Sequence, residues 1–159
     1  MSSKHNILVS MEEGVEAPLW LSKIEPFIQD VLKSLNVSFW EVSVLFCKDD
    51  FIQKLNKEYR SMDNPTDVLS FESGEKYTDE ERTEWFTAGD IVISLDSLKK
   101  NCSDFEVSED EELKRLLIHG ILHLAGYDHS DNSPEQEMLK LQECILATFM
   151  QENCIIIPK

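Results

Sequence analysis

Three of the four histidines of this 159-residue chain lie within eleven residues, in the segment HGILHLAGYDH from His119 to His129. His119 and His123 are four residues apart, so on a helix their imidazoles lie one turn apart on the same face. Gly126 then allows the chain to turn, and the imidazole of His129 can return to the same point. Three neutral nitrogen ligands with one position left for water are typical of a catalytic zinc site. The segment therefore predicts a metal centre formed by His119, His123 and His129.

The neighbouring residues favour a bound metal over three histidines that are merely buried. A single histidine beside an apolar helix face is usually a hydrogen-bonded core residue. Here the predicted helix is apolar on most sides, and three unliganded imidazoles buried together would leave several polar atoms to satisfy. A shared cation removes that cost. Imidazole ligands suit Zn²⁺ best, although nickel, copper and iron also fit.

The histidine spacing equals that of the metzincin proteases, HExxHxxGxxH. Those enzymes carry a glutamate after the first histidine as the general base, whereas this chain has Gly120 at that position. A peptidase mechanism would lack its proton acceptor here, so the pattern argues against proteolysis. No other residue of the chain stands out as a general base.

Two further motifs accompany the histidine segment. The second motif comprises NKEYR at residues 56–60 and PTDVLSF at residues 65–71, and the third is GDI at residues 89–91. With the histidine motif HGxLHLxGYDH, these stretches resemble the YbeY-type endoribonucleases, which are bacterial ribosomal RNA maturation factors. The resemblance spans residues 50–146. It departs from the family at Glu72, where proline is usual, and in the acidic segment 73–88.

This resemblance implies a zinc held by His119, His123 and His129, and cleavage of single-stranded RNA. It further implies work on ribosomal RNA, especially the 3′ end of the small-subunit RNA, and a part in ribosome quality control. The implied partners are single-stranded RNA, ribosomal RNA and the ribosome, with a ribosomal or assembly protein as a further candidate. The RNA substrate comes from the resemblance alone, whereas the histidine spacing independently indicates the metal.

Arg60 is the candidate catalytic residue of the second motif. Its planar guanidinium can hold a scissile phosphate and stabilise the charge that builds in the transition state. The alternative is a surface cation favoured at a helix C-terminus, but the matched motif favours catalysis. Thr66 and Asp67 either fix a loop facing the metal or start a strand. Asp128 either orients a histidine through its second ring nitrogen or caps a turn.

Charge is the strongest argument against an RNA enzyme. The chain has 31 acidic and 15 basic residues and a net charge of −16, so its averaged field repels nucleic acids and anionic membranes. Phosphate contacts normally come from lysine and arginine, and Lys54, Lys57 and Arg60 can share one side of a helix. We therefore expect RNA binding to be weak without a partner and strongly dependent on salt.

Three functions remain open from the sequence. The leading one is a zinc-dependent endoribonuclease acting in ribosomal RNA maturation. The second is a zinc hydrolase of another substrate, either a peptide or a small molecule. The third is a non-catalytic ribosome-assembly factor with a structural zinc, which predicts unfolding on metal removal and no turnover.

Strand-like runs mixed with helical ones, and a mainly helical second half, predict an α+β fold with one domain over residues 1–159 and the metal-binding helix in the second half. The family resemblance implies that the sheet is mixed and packed with helices. The acidic segment 73–88 is expected to be a solvated loop or a short helix. The last helix is expected to begin at Ser133-Pro134. No run resembles a signal peptide or approaches the ~20 apolar residues of a membrane span, so we expect a cytoplasmic protein. None of the four cysteines forms a C-x-x-C pair, and all are expected to be reduced.

Overall fold

A four-stranded mixed sheet organises the protein. The computed structural model describes residues 4–128, 136–150 and 154–157. The strands are β1 (Asn6–Met11), β2 (Trp40–Cys47), β3 (Val68–Thr78) and β4 (Glu84–Ser94), in the order β1-β2-β4-β3. β2 runs parallel to both β1 and β4, whereas β3 runs antiparallel to β4. The predicted α+β class and mixed sheet are confirmed, and β3 forms one edge of the sheet.

Five α-helices and one 3-10 turn accompany the sheet in the described part of the chain. They are the turn Leu21–Lys23, α1 (Ile24–Ser34), α2 (Asp49–Arg60), α3 (Leu95–Phe105), α4 (Glu109–Leu124) and α5 (Glu137–Phe149). Pro26 does not interrupt α1, because it lies in the first turn, where backbone N–H groups have no acceptor within the helix. The predicted helix start at Ser133-Pro134 lies outside the described residues. None of the described helices is both long and apolar enough to cross a membrane.

Helices cover the two faces of the sheet unequally. Successive side chains of a strand point to opposite faces, and Ile91 and Val92 of β4 accordingly belong to different apolar clusters. Ile91 lies in the main core with side chains of α1, β2, α4 and α5. Val92 lies in a smaller cluster with Ile52 of α2. The main core therefore packs α4 against one face of the sheet, and α2 covers part of the opposite face.

The helix that carries His119 and His123 is fixed at both ends by local signals. The Ser108 hydroxyl accepts a hydrogen bond from the Glu111 N–H at 3.1 Å, as is usual for a serine at a helix N-cap. Gly126 follows the other end with φ of +96°, and its N–H donates to the carbonyl of His123 at 3.0 Å. A glycine is favoured there because an L side chain is strained at such a φ.

The prediction for residues 73–88 was wrong. β3 continues to Thr78 and β4 begins at Glu84, so the segment is the outer part of a β-hairpin. The Asp79 carboxylate organises its turn by accepting hydrogen bonds from Trp85 Nε1 and from the N–H groups of Glu81 and Thr83, at 2.9 Å each. These bonds, that from Trp85 above all, lower the pKa of Asp79. Both faces of this outer β3 segment are exposed, so it lacks the apolar alternation that identifies a strand.

Candidate metal centre

His119 and His123 place two ring nitrogens side by side. Both residues are half-buried on α4, and their Nε2 atoms are 3.1 Å apart. The two rings meet edge to face, with centroids 4.7 Å apart. The predicted geometry of two histidines on one helix face is therefore present.

This arrangement fits a metal ion. In a tetrahedral site with Zn–N bonds of about 2.0–2.1 Å, two ligand nitrogens lie about 3.3 Å apart, close to the observed separation. Within residues 4–128, 136–150 and 154–157, no group of three His, Cys, Asp or Glu side chains is placed to hold one ion. His129, the predicted third ligand, lies outside those ranges. The described residues thus supply two nitrogen donors of suitable spacing.

Gln142 of α5 determines which nitrogen of His119 is available to a metal. Its side-chain Oε1 lies 2.7 Å from His119 Nδ1, and an amide oxygen can only accept a hydrogen bond. His119 Nδ1 therefore carries the proton, which leaves the lone pair of a neutral ring on Nε2. Gln142 itself is oriented by donating from Nε2 to Glu143 Oε2 at 3.1 Å. No sequence motif marks Gln142, so its place beside His119 is visible only in the structure.

Arg115 holds Glu143 in place. Its Nε donates to Glu143 Oε2 at 3.0 Å, and it also donates to Glu111 and Glu112 at 2.9 Å. Burial disfavours the charge on Glu143, but the hydrogen bonds from Arg115 and Gln142 outweigh it and lower the pKa of this carboxyl. These acceptors likewise raise the pKa of Arg115, although burial opposes them. Glu143 thus stays ionised as the acceptor for Gln142.

Arg60 lies in the same cavity as the two histidines. This cavity, which we call the metal cavity, has a volume of about 700 Å³, and Tyr127 and Asp128 also line it. Arg60 is exposed at the end of α2, where its Nη2 donates to the carbonyl of Ser70 on β3 at 2.8 Å. Its guanidinium carbon lies 5.3 Å from the centre of the Phe71 ring. The structure therefore brings Arg60 and Asp128 together with His119 and His123.

Thr66 and Asp67 lie in a neighbouring cavity of about 710 Å³ on another side of His119. The Asp67 carboxylate accepts a hydrogen bond from the N–H of Val68 at 2.7 Å, where β3 begins. The Asn101 amide donates to both Asp67 and Glu112, at 2.9 and 3.0 Å. Asp67 therefore ties the start of β3 to α4, and in this structure it does not line the cavity that contains Arg60.

The structure explains why a glycine follows His119. A Cβ atom at Gly120 would lie 2.9 Å from the Cδ1 and Cγ2 atoms of Ile91, closer than side chains tolerate. Position 120 thus faces the sheet, and a larger residue there would require the Ile91 side chain or α4 to shift.

Gly89 of the third motif also serves packing near the site. Its φ is +141°, and a Cβ atom there would lie 2.0 Å from the carbonyl oxygen of Phe71. Only glycine allows this approach between β4 and β3.

Cys47 is fully buried in the smaller cluster. Burial, with the charges of Glu12 and Asp49, raises the pKa of its thiol to about 12. Cys47 is therefore unsuited to act as a nucleophile.

The sequence matches the family model described as endoribonuclease YbeY over residues 9–150. A protein named endoribonuclease YbeY from Treponema denticola is 57% identical over 145 residues, covering 91% of this chain and 94% of the relative. A Treponema pallidum protein of the same name is 52% identical over 147 residues, covering 92% and 91%. A third, from Borreliella afzelii, is 45% identical over 128 residues, covering 79% and 84%.

A solved structure shares the fold. The solution structure of TM1509 from Thermotoga maritima superposes with a TM-score of 0.61 at 28% identity, covering 88% of this chain and 86% of that chain. The family model covers most of the chain, and each of the three relatives exceeds 40% identity. The chain belongs to the endoribonuclease YbeY family.

Proposed function

We propose that this protein is a zinc-dependent endoribonuclease that cleaves single-stranded RNA in ribosomal RNA maturation and ribosome quality control. The small-subunit RNA, at its 3′ end, is the proposed substrate. The observation that carries the proposal is the pair of His119 and His123 Nε2 atoms, 3.1 Å apart, in one cavity with Arg60. The relatives named endoribonuclease YbeY support this reading over a zinc hydrolase of another substrate or a non-catalytic assembly factor.

His119, His123 and His129 would hold the metal, with Gln142 keeping the Nε2 lone pair of His119 available. Zinc bound there supplies Lewis-acid chemistry, which polarises a phosphoryl oxygen and lowers the pKa of water. Arg60 binds the scissile phosphate. One of its donors is used by the Ser70 carbonyl, but a guanidinium has five N–H donors, so others can contact the non-bridging oxygens. Thr66 and Asp67 support the start of β3, and Asp128 is proposed to support the site from the cavity wall.

The exposed basic residues of α2 provide an approach for the RNA backbone. Lys54, Lys57 and Arg60 follow one another at intervals of three residues, and all three are exposed. Lys57 is partly neutralised by Asp63 at 3.8 Å. Against a net charge of −16, so few phosphate contacts give weak binding. We therefore propose that the ribosome, or a ribosomal or assembly protein, assists binding in the cytoplasm.

The proposal is tested with a single-stranded ribosomal RNA fragment. Protein stripped with a chelator is expected to lose cleavage, and one equivalent of zinc is expected to restore it. Thermal unfolding of the stripped protein separates the alternatives, since a structural zinc predicts unfolding on removal. If the fully zinc-loaded protein leaves the RNA intact, the assembly-factor alternative is favoured instead.

Gln142→Leu is expected to weaken zinc binding by about 10–100-fold, the usual loss when a partner of a ligating histidine is removed. Leucine is similar in size but cannot accept a hydrogen bond from the Nδ1–H of His119. Zinc affinity is measured by competition with a chromophoric chelator, and ¹⁵N NMR of the zinc-free protein reports the His119 tautomer. Gln53→Leu is the matched control, because Gln53 lies on α2 and its amide donates a hydrogen bond to the Asp63 carboxylate. Equal affinities for both variants would show that Gln142 has no positioning role.

A further inference from the structure

A third cavity lies on the α2 side of the sheet, next to the metal cavity. It has a volume of about 490 Å³. One wall is a stripe of α2 formed by Phe51, Leu55 and Tyr59, which are spaced four residues apart and so share one helix face. The floor is formed by strand residues, among them Leu45, Ser43 and Asp90. We call this cavity the α2 groove.

The α2 groove meets the metal cavity at Phe71, which lines both. The Tyr59 ring packs edge to face on Phe71, with centroids 5.3 Å apart. Arg60 lies over the same Phe71 ring, with its guanidinium carbon 5.3 Å from the ring centre. A group next to the phosphate held by Arg60 would therefore reach these two aromatic rings first.

The chemistry of the α2 groove suits a nucleobase better than a phosphate. Tyr59 keeps 56% of its surface exposed, so a flat ligand can cover an aromatic face. Among the described residues that line the groove, none is basic and one is charged: Asp90, whose carboxylate accepts a hydrogen bond from the Ser43 hydroxyl. A carboxylate repels phosphate but accepts hydrogen bonds from base amino groups. Exposed aromatic rings beside a phosphate site are typical of proteins that bind single strands by stacking.

We propose that the α2 groove is a base-binding subsite. In it, the base adjacent to the scissile phosphate stacks on Tyr59 and Phe71. This inference rests on the proposed function, because the phosphate must be bound by Arg60. It explains a preference for single strands, since a base within a duplex is stacked on its neighbours and cannot enter the groove.

Tyr59→Leu tests the subsite without disturbing the core, because Tyr59 is exposed. Binding of a fluorescein-labelled single-stranded RNA 10-mer to the zinc-loaded protein is measured by anisotropy, with phosphorothioate linkages in the RNA to prevent cleavage. We expect Tyr59→Leu to weaken binding by about tenfold and Tyr59→Trp to retain it. Tyr77→Leu is the matched control, since Tyr77 is 43% exposed but lies on the outer hairpin. It should bind like the unchanged protein.

A series of 10-mers with one abasic nucleotide at successive positions gives the second measurement. In the unchanged protein, one position is expected to weaken binding, and in Tyr59→Leu that penalty is expected to disappear. Equal binding by Tyr59→Leu and the unchanged protein, or a penalty that persists in Tyr59→Leu, would overturn the subsite while leaving the nuclease intact. If the unchanged protein neither binds nor cleaves single-stranded RNA, the proposed function fails, and the subsite fails with it.

Discussion

His123→Ala is expected to lose stoichiometric zinc and to reduce RNA cleavage by at least about 10³-fold, because Lewis-acid stabilisation by a metal is worth several kcal/mol. The helix should survive the change, since alanine has the highest helix propensity and His123 lies near the end of α4. Zinc content is measured by metal analysis, cleavage with the ribosomal RNA fragment, and folding by circular dichroism.

The same variant identifies contaminating ribonuclease, the main artefact of such an assay. Both preparations must be purified identically, so that a contaminant contributes equally to each. Equal cleavage by the two would assign the activity to the contaminant. Full zinc content in His123→Ala would remove His123 from the metal site, whatever the cleavage result.

The helix that carries His119 and His123 could be predicted because its signals are local. Ser108 caps it, Gly126 ends it, and the four-residue spacing alone places the two imidazoles on one face. The α+β class followed from the order of strand-like and helical runs, whereas the mixed sheet was implied by the family resemblance. His129, Thr66, Asp67 and Asp128 remain predictions as site residues.

The hydrogen bonds that orient His119 could not be predicted, because they join distant parts of the chain. Gln142 lies 23 residues after His119, and Glu143 is fixed by Arg115, 28 residues earlier. Such contacts depend on how α4 and α5 pack against each other, and the relative position of two helices cannot be inferred from a single sequence. The outer hairpin was missed for a different reason: its stability comes from pairing and from Asp79, whereas its exposed side chains resemble those of a loop.

The role of Arg60 is predicted to be local to the cavity. Arg60→Ala is expected to reduce cleavage by about 10²–10³-fold, the usual loss when one group that stabilises transition-state charge is removed. Zinc content and thermal stability should stay unchanged, because Arg60 is exposed and donates to a carbonyl rather than to either histidine. Arg60→Lys should recover only part of the rate, since lysine keeps the charge but lacks the planar fork of donors.

Lys57→Ala separates this local role from a general effect of charge. Lys57 lies three residues before Arg60 on the same helix, is exposed, and is paired with Asp63 at 3.8 Å. The Lys57→Ala substitution removes a single positive charge, as Arg60→Ala does, but Lys57 does not line the metal cavity. We expect Lys57→Ala to weaken RNA binding slightly at low salt, with a turnover rate close to that of the unchanged protein. If Arg60→Ala and Lys57→Ala lower the turnover rate equally, Arg60 acts only as a surface cation, and transition-state stabilisation must come from elsewhere in the cavity.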